Sequence, residues 1–189
     1  MTYDQFKEIS TYLNKSSIFV IDSSYAKTDY IPLDLSTSNI ELKKVDVSNP
    51  GVLSQYIDEE IAKENGKLAF GGYLEKRAIY KRSPHFNKKV DPLDERNIHL
   101  GIDVWAKERT DVLAVLDGKI HSFKNNLNFG DYGPTIILEH EIESFKFYSL
   151  YGHLSTYTLG QIKVGQIVNQ GEKIAELGIP SENGDYPPH

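Results

Sequence analysis

His99 and Asp103 stand four residues apart in the stretch HLGIDVW, on either side of Gly101. Neutral imidazole nitrogen and carboxylate oxygen both bind zinc, at about 2.0–2.2 Å, and both can carry a proton in catalysis. On an ideal strand the two side chains share a face but lie roughly 13 Å apart, at ~3.3 Å per residue, too far to hold one ion. A helix would make them neighbours, but Gly101 and the β-branched Ile102 and Val104 disfavour helix. Joint chelation therefore needs the chain to bend or bulge, and Gly101 is the residue that permits it. Spacing alone leaves a metal pair and an ordinary polar strand face both open.

Four more histidines enter the same weighing, with His85 as a fifth. His153 follows in LYGHLS, where Gly152 ends a tyrosine-rich alternation. His189 closes NGDYPPH, where two prolines stiffen the backbone that presents the imidazole. His121 in GKIHSF and His140 in ILEHE fall inside strand-like runs and read as exposed or satisfied structural residues. His85, in SPHF, has only a loop position in its favour.

Composition narrows the chemistry further. The chain has 189 residues, 39% hydrophobic and 25% charged, which is enough for one domain with a sizeable extension and a true core. It has no cysteine, so disulfides and thiolate metal sites are excluded and any metal must be held by His, Asp or Glu. A net charge of −6 and a pI near 5.5 argue against nucleic acid or an anionic membrane as partner. Lys76, Arg77, Lys81, Arg82, Lys88 and Lys89 make 76–89 locally basic, which reads as a solvated face or a substrate rim. The opening MTYDQFKEISTYLNK is polar and amphipathic, and the longest early apolar run is Ile18 to Ile21. Neither is a signal-peptide core or a membrane span. The chain as written is expected in the cytoplasm, or in the cell envelope if an export signal was removed.

Phe6, Ile9 and Leu13 recur at helical spacing and predict a helix over 3–14. SIFVID (17–22) reads as a strand, and 23–50 as loop with one short strand near IPLDLS. Val52, Leu53, Tyr56, Ile57 and Ile61 form a second helical stripe, stopped by Asn65-Gly66. Beyond Gly66 the text changes to short β-like runs: LAFGGY, RAIY, HLGIDVW, VLAVL, GKIHSF, TIILEH and FKFYSLYGH. In FKFYSLY, Phe145, Phe147, Ser149 and Tyr151 share one face, with Lys146, Tyr148 and Leu150 on the other. HEIES would supply the hairpin turn before it, and no helical stripe is expected from Gly66 to the end. The expected organisation is a mixed α/β extension over 1–66, of unassigned role, followed by a mainly β domain over 67–189.

Gly165, Val168, Gly171, Ile174 and Gly178 in KVGQIVNQGEKIAELG predict tight turns between very short strands, with Val and Ile pointing inward. This pattern resembles the hammerhead half of a barrel-sandwich hybrid. That duplicated β motif recurs in lipoyl and biotinyl domains, phosphotransferase-system carriers and lysostaphin-type peptidases.

H-x-x-x-D, then Y-G-H-L-S, then P-P-H, in this order, resembles the zinc metallopeptidase domains of the lysostaphin and LytM type over about 67–189. The resemblance implies that His99 and Asp103 are ligands of Zn2+, and that His153 helps stabilise the transition state. It implies that His189 is the first histidine of the family's closing H-x-H, the catalytic base. The family's third ligand would stand two residues past His189, so the chain as given is expected to be inactive or nearly so, and a continued one active. The implied substrate is a peptidoglycan peptide or another peptide, cleaved at an amide bond, with Tyr132 and Tyr151 as candidate groove residues. GGYLEKRAIY, GDYGPTIILEH and ENGDYPPH further resemble a branch found in larger fused proteins. Two departures fall near the expected groove: Glu108-Arg109-Thr110-Asp111-Val112 replaces the usual Gly-Thr-Pro-Val stretch, and Asp131-Tyr132-Gly133-Pro134 replaces Gly-Tyr-Gly-Asn.

Two other classes remain. A catalytically silent module would use the same groove to bind a cell-wall peptide or a partner protein. A phosphohistidine carrier would use His99 of H-x-G-I-D as phosphate acceptor, with His85 as its neighbour. No lysine stands where a lipoyl or biotinyl acceptor would need one.

Overall fold

The computed structural model describes residues 2–15, 18–82, 97–143 and 145–189. His85, Lys88 and Lys89 lie outside the described residues. The protein is mainly β, with eleven strands among the described residues and few helices.

Helix α1 (Tyr3–Lys15) follows the first apolar stripe. Helix α2 (Pro50–Lys63) starts where Asn49 caps it: the Oδ1 atom accepts from the amides of Gly51 at 2.9 Å and Val52 at 3.2 Å, and Pro50 needs no donor there. It ends at Asn65, whose φ of 54° turns the chain out of the helix. Its buried Leu53 and Ile57 pack with Ile31, Leu33, Leu42, Ala69 and Trp105 into one of two apolar clusters.

Strand β1 (Tyr30–Pro32) runs parallel to β2 (Leu68–Gly71), and β2 runs antiparallel to β5 (Asp103–Trp105). One three-stranded sheet thus joins the segment before Gly66 to the segment after it. Strands β3 (Glu75–Lys76) and β4 (Ile98–His99) form a two-residue ladder beside it, with Glu75 opposite His99. The largest sheet has the order β10-β7-β8-β9, from β7 (Gly118–Asn126), β8 (Gly133–Ile142), β9 (Phe145–Tyr151) and β10 (Ile167–Val168). Strand β6 (Asp111–Leu113) pairs with β11 (Lys173–Glu176). Ile120, Ile136, Leu138, Leu154 and Val168, each at most 1% exposed, centre the second apolar cluster. Burying each such side chain stabilises the fold by about 1.5–3 kcal/mol.

Several expectations are corrected. SIFVID forms no strand over its described residues; Ile21 makes a single bridge to Val112, and its side chain joins the core. RAIY is not a strand either, since Ile79–Arg82 is a 3-10 turn. A short helix, α3 (Thr156–Leu159), does occur late in the chain, capped by the Ser155 hydroxyl accepting from the Tyr157 amide. His140, Glu141 and Ile142 belong to β8, and the turn starts at Glu143, with φ 55°. The basic stretch is not a uniformly solvated face: Arg77 is 7% exposed and the Arg82 side chain 4%. By contrast, the β9 alternation is present, and Gly165 and Gly171 take the positive φ of their turns, with Val168 and Ile174 buried between. No helix of the described residues is long and apolar enough to cross a membrane.

Candidate active site

The chain leaves β4 at His99 and enters β5 at Asp103, so Leu100 to Ile102 form a corner rather than continuous strand. The corner brings His99 Nε2 to 3.3 Å from Asp103 Oδ1. Both strands are laid on the segment 68–76: β5 pairs with β2, placing Asp103 opposite Gly71, and β4 pairs with β3. Between these two ladders lies Gly72, with φ 99°. Its carbonyl accepts from His99 Nδ1–H at 3.0 Å. A Cβ at Gly72 would meet Arg77 Nη2 and His99 Nδ1 at 2.3 and 2.7 Å, so a glycine is required by space as well as by φ.

His189 and His153 complete the cluster from the far end of the chain. Their rings stack at 4.3 Å, and the His189 ring also stacks on Trp105 at 6.0 Å. Nε2 of His189 is 4.0 Å from Asp103 Oδ1. His153 has a φ of 56°, and its amide donates to the Tyr132 carbonyl at 2.7 Å. The edge of Tyr186 packs against His153 at 4.8 Å, and its hydroxyl donates to the Gly130 carbonyl at 3.0 Å.

All three imidazoles are anchored alike. Nδ1 meets a backbone carbonyl in each: Gly72 for His99, Asn183 at 2.6 Å for His153 and Pro187 at 2.7 Å for His189. A carbonyl only accepts, so Nδ1 carries the proton in each ring. A neutral ring then has a lone pair, not a proton, on Nε2. Burial pushes His153 down to about 3, reinforced by His189, so it is neutral at neutral pH. Burial also lowers His189, against the opposing pull of Asp103 and the Pro187 carbonyl. A neutral His189 is therefore an acceptor, as a base must be. A neutral His153 with its proton on Nδ1 is also an acceptor, so donation to an oxyanion requires that the proton stand on Nε2 instead.

Burial raises Asp103, but the pull of His189 and His99 whenever they are protonated, together with the standing charge of Arg77, outweighs it and holds the carboxyl below its ordinary value. Arg77 Nη1 donates to Asp103 Oδ2 at 2.5 Å, and Arg77 Nε to Glu75 Oε2 at 2.6 Å. Tyr80 lies nearby, raised by burial.

Of the residues singled out in the sequence, His99, Asp103, His153 and His189 are brought together. Tyr132 lies beside them, 47% exposed, its ring 5.8 Å from His153. Tyr151 does not join them as a groove residue: it is 6% exposed in the core, where its hydroxyl oxygen accepts from the Val115 amide at 3.0 Å. Gly72, Glu75, Arg77, Trp105, Asn183 and Tyr186 were not singled out for the site. For Arg77 the available signal was Glu75 two residues before it, which the reading of a basic run obscured. Among the described residues no three His, Cys, Asp or Glu side chains form a group able to hold a metal ion.

The β-rich frame thus gathers one carboxylate and three imidazoles, each ring held through Nδ1, in a single cluster. Residues 97–189, just under half of the chain, match the family described as Peptidase family M23. A solved structure of Helicobacter pylori Csd3 is similar at 23% identity and a TM-score of 0.34; the similarity covers 52% of this chain and 28% of that one. No curated protein matches the chain.

Proposed function

We propose that this domain is a zinc-dependent peptidase centre that hydrolyses amide bonds in peptidoglycan peptides. The observation that carries the reading is the convergence of His99 Nε2 and Asp103 Oδ1 at 3.3 Å. With the His99 proton on Nδ1, two lone pairs face each other there, an arrangement that calls for a cation between them. Two donors on a tetrahedral zinc, each at about 2.0–2.1 Å, stand about 3.3 Å apart, so the pair fits as two of its ligands. The bond from His99 Nδ1–H to the Gly72 carbonyl is the outer support that such ligands carry. The family pattern puts a third ligand two residues past His189, outside this sequence. When bound, zinc supplies Lewis-acid polarisation and a water of lowered pKa.

The chain's own residues do the rest. His189, neutral and with its Nε2 lone pair near Asp103, accepts the water's proton and returns it to the leaving amine. His153 is neutral, and would donate to the oxyanion in the tautomer that carries its single proton on Nε2 instead of Nδ1, a shift that needs no added proton. Tyr132, exposed beside His153, lines the path by which a peptide reaches them.

Zinc analysis of the purified chain, and of one continued two residues to a histidine, tests the reading together with cleavage of a peptidoglycan stem peptide. One zinc per chain and cleavage in the continued form are expected. No zinc in either form would refute the proposal and leave a peptide-binding module as the successor.

A further inference from the structure

Arg77 is the only arginine hydrogen-bonded to either residue of the His99–Asp103 pair among the described residues, and it bonds one particular oxygen. Asp103 has two oxygens with different surroundings. Oδ1 faces His99 Nε2 at 3.3 Å and His189 Nε2 at 4.0 Å. Oδ2 accepts from Arg77 Nη1 at 2.5 Å. We propose that Arg77 is a positioning residue that makes Asp103 a one-oxygen ligand, by occupying Oδ2 and leaving Oδ1 to the metal. This rests on the zinc reading above and specifies how the carboxylate is held for it.

The guanidinium is itself fixed from several sides. Its Nε donates to Glu75 Oε2 at 2.6 Å, and Glu75 Oε1 accepts from the Leu35 amide at 2.8 Å. A continuous series of bonds therefore runs from the N-terminal segment through Glu75 and Arg77 to Asp103. The guanidinium carbon also lies 5.7 Å from the centre of the Trp105 ring, and the Gly72 Cα leaves room for Nη2. Glu75 is opposite His99 in the β3–β4 ladder, so one pair of residues carries both the histidine and the base of the brace.

Charge and geometry separate a brace from a plug. A guanidinium competing with the metal would sit on Oδ1, between Asp103 and His99. Here it sits on the other oxygen. Glu75 offsets its charge, so Glu75, Arg77 and Asp103 together still carry one negative charge toward a dication. A planar fork with donors on two sides suits this task, bridging two carboxylates at a set angle.

The test is zinc affinity, measured by competition with a chromophoric chelator, on the chain continued two residues to a histidine (the wild type of this comparison) and on the same chain with Arg77→Gln or Arg77→Lys. Circular dichroism and thermal melts check the fold, and the visible spectrum with Co2+ reports coordination. Arg77→Gln is expected to weaken zinc about 10–100-fold, the loss typical of a group that supports a ligand, and to change the Co2+ bands. Arg77→Lys keeps the charge without the fork and is expected to fall between. Affinity in Arg77→Gln within about twofold of wild type would overturn the proposal, well below that range. Tighter binding would also overturn it, since it would make the guanidinium a competitor. If Arg77→Gln does not fold, Arg77→Lys decides: weaker zinc supports the brace and unchanged zinc overturns it. No zinc in the wild type would sink the metal reading and this inference together, whereas equal zinc in all three sinks this inference alone.

Discussion

His140 on β8 and His99 on β4 begin from the same arrangement, a strand histidine whose Nδ1–H donates to a backbone carbonyl. His140 Nδ1–H donates to the Asp117 backbone carbonyl at 2.9 Å, and Nε2 accepts from the Ser149 hydroxyl at 2.7 Å. At 1% exposure it is fully satisfied and has nothing left to offer a ligand. In His99, Nε2 instead faces the acceptor-only Oδ1 of Asp103, a pairing that requires a proton or a metal between them. His153 and His189 share the single anchor. The difference teaches that burial does not separate a structural imidazole from a chemical one in this protein. The partner of the second nitrogen does.

The comparison breaks most visibly at His99. His99→Ala is expected to weaken zinc at least about 1000-fold, above the ~10–100-fold of a supporting group, with the melting temperature of the metal-free chain little changed. Isothermal titration with zinc and a thermal melt measure the two sides; retained zinc would make His99 another His140.

Acid titration gives the next largest effect. The His153 pKa is depressed in the folded chain to about 3, against about 6.5 when unfolded, so between those values only the unfolded chain takes up the proton. Stability from this group is complete above pH 6.5 and falls as the pH drops toward 3, by about 3 kcal/mol at pH 4. Urea melts from pH 7 to 4 should show that slope, and His153→Gln should flatten it. An unaltered slope in the variant would assign the pH dependence elsewhere.

The opposite signature is expected at His140. His140→Phe strands the Asp117 carbonyl and the Ser149 hydroxyl, costing about 2 kcal/mol of stability while zinc affinity stays put. A drop in zinc binding without a stability loss would erase the distinction between the two histidines. The smallest effect falls at Tyr132, half exposed at the edge of the cluster: Tyr132→Ala should change stability by about 0.5 kcal/mol or less and leave zinc unchanged. Peptide cleavage kinetics would show any role as a raised KM.

The sequence made part of this legible for identifiable reasons. Helix α2 could be read because its stripe is bracketed by Asn49-Pro50 and Asn65-Gly66, and β9 because its alternation survives in the burial pattern. The corner at Gly101 followed from the ~3.3 Å rise of a strand, which left bending as the only way to join His99 and Asp103. SIFVID misled because an apolar run is equally suited to an irregular segment pressed on the core, and Ile21 needs only one bridge to be buried there. His140 and His99 could not be told apart, because Ser149 and Asp103 reach them from different strands. Arg77 was hidden among lysines, since nothing local to YLEKRAIY states that its partners are Asp103 and a tryptophan ring.

The bonds from Leu35 through Glu75 and Arg77 to Asp103 also set an order in time. A ribosome delivers the chain from its N-terminus, so the bracing residues emerge before the carboxylate they hold, and His99 with it. His153 and His189 follow later, at about 5–20 residues per second. For several seconds the nascent chain holds Asp103 and the residues that brace it without His153 or His189. His153 and His189 thus reach their places only after the frame that must receive them has been made.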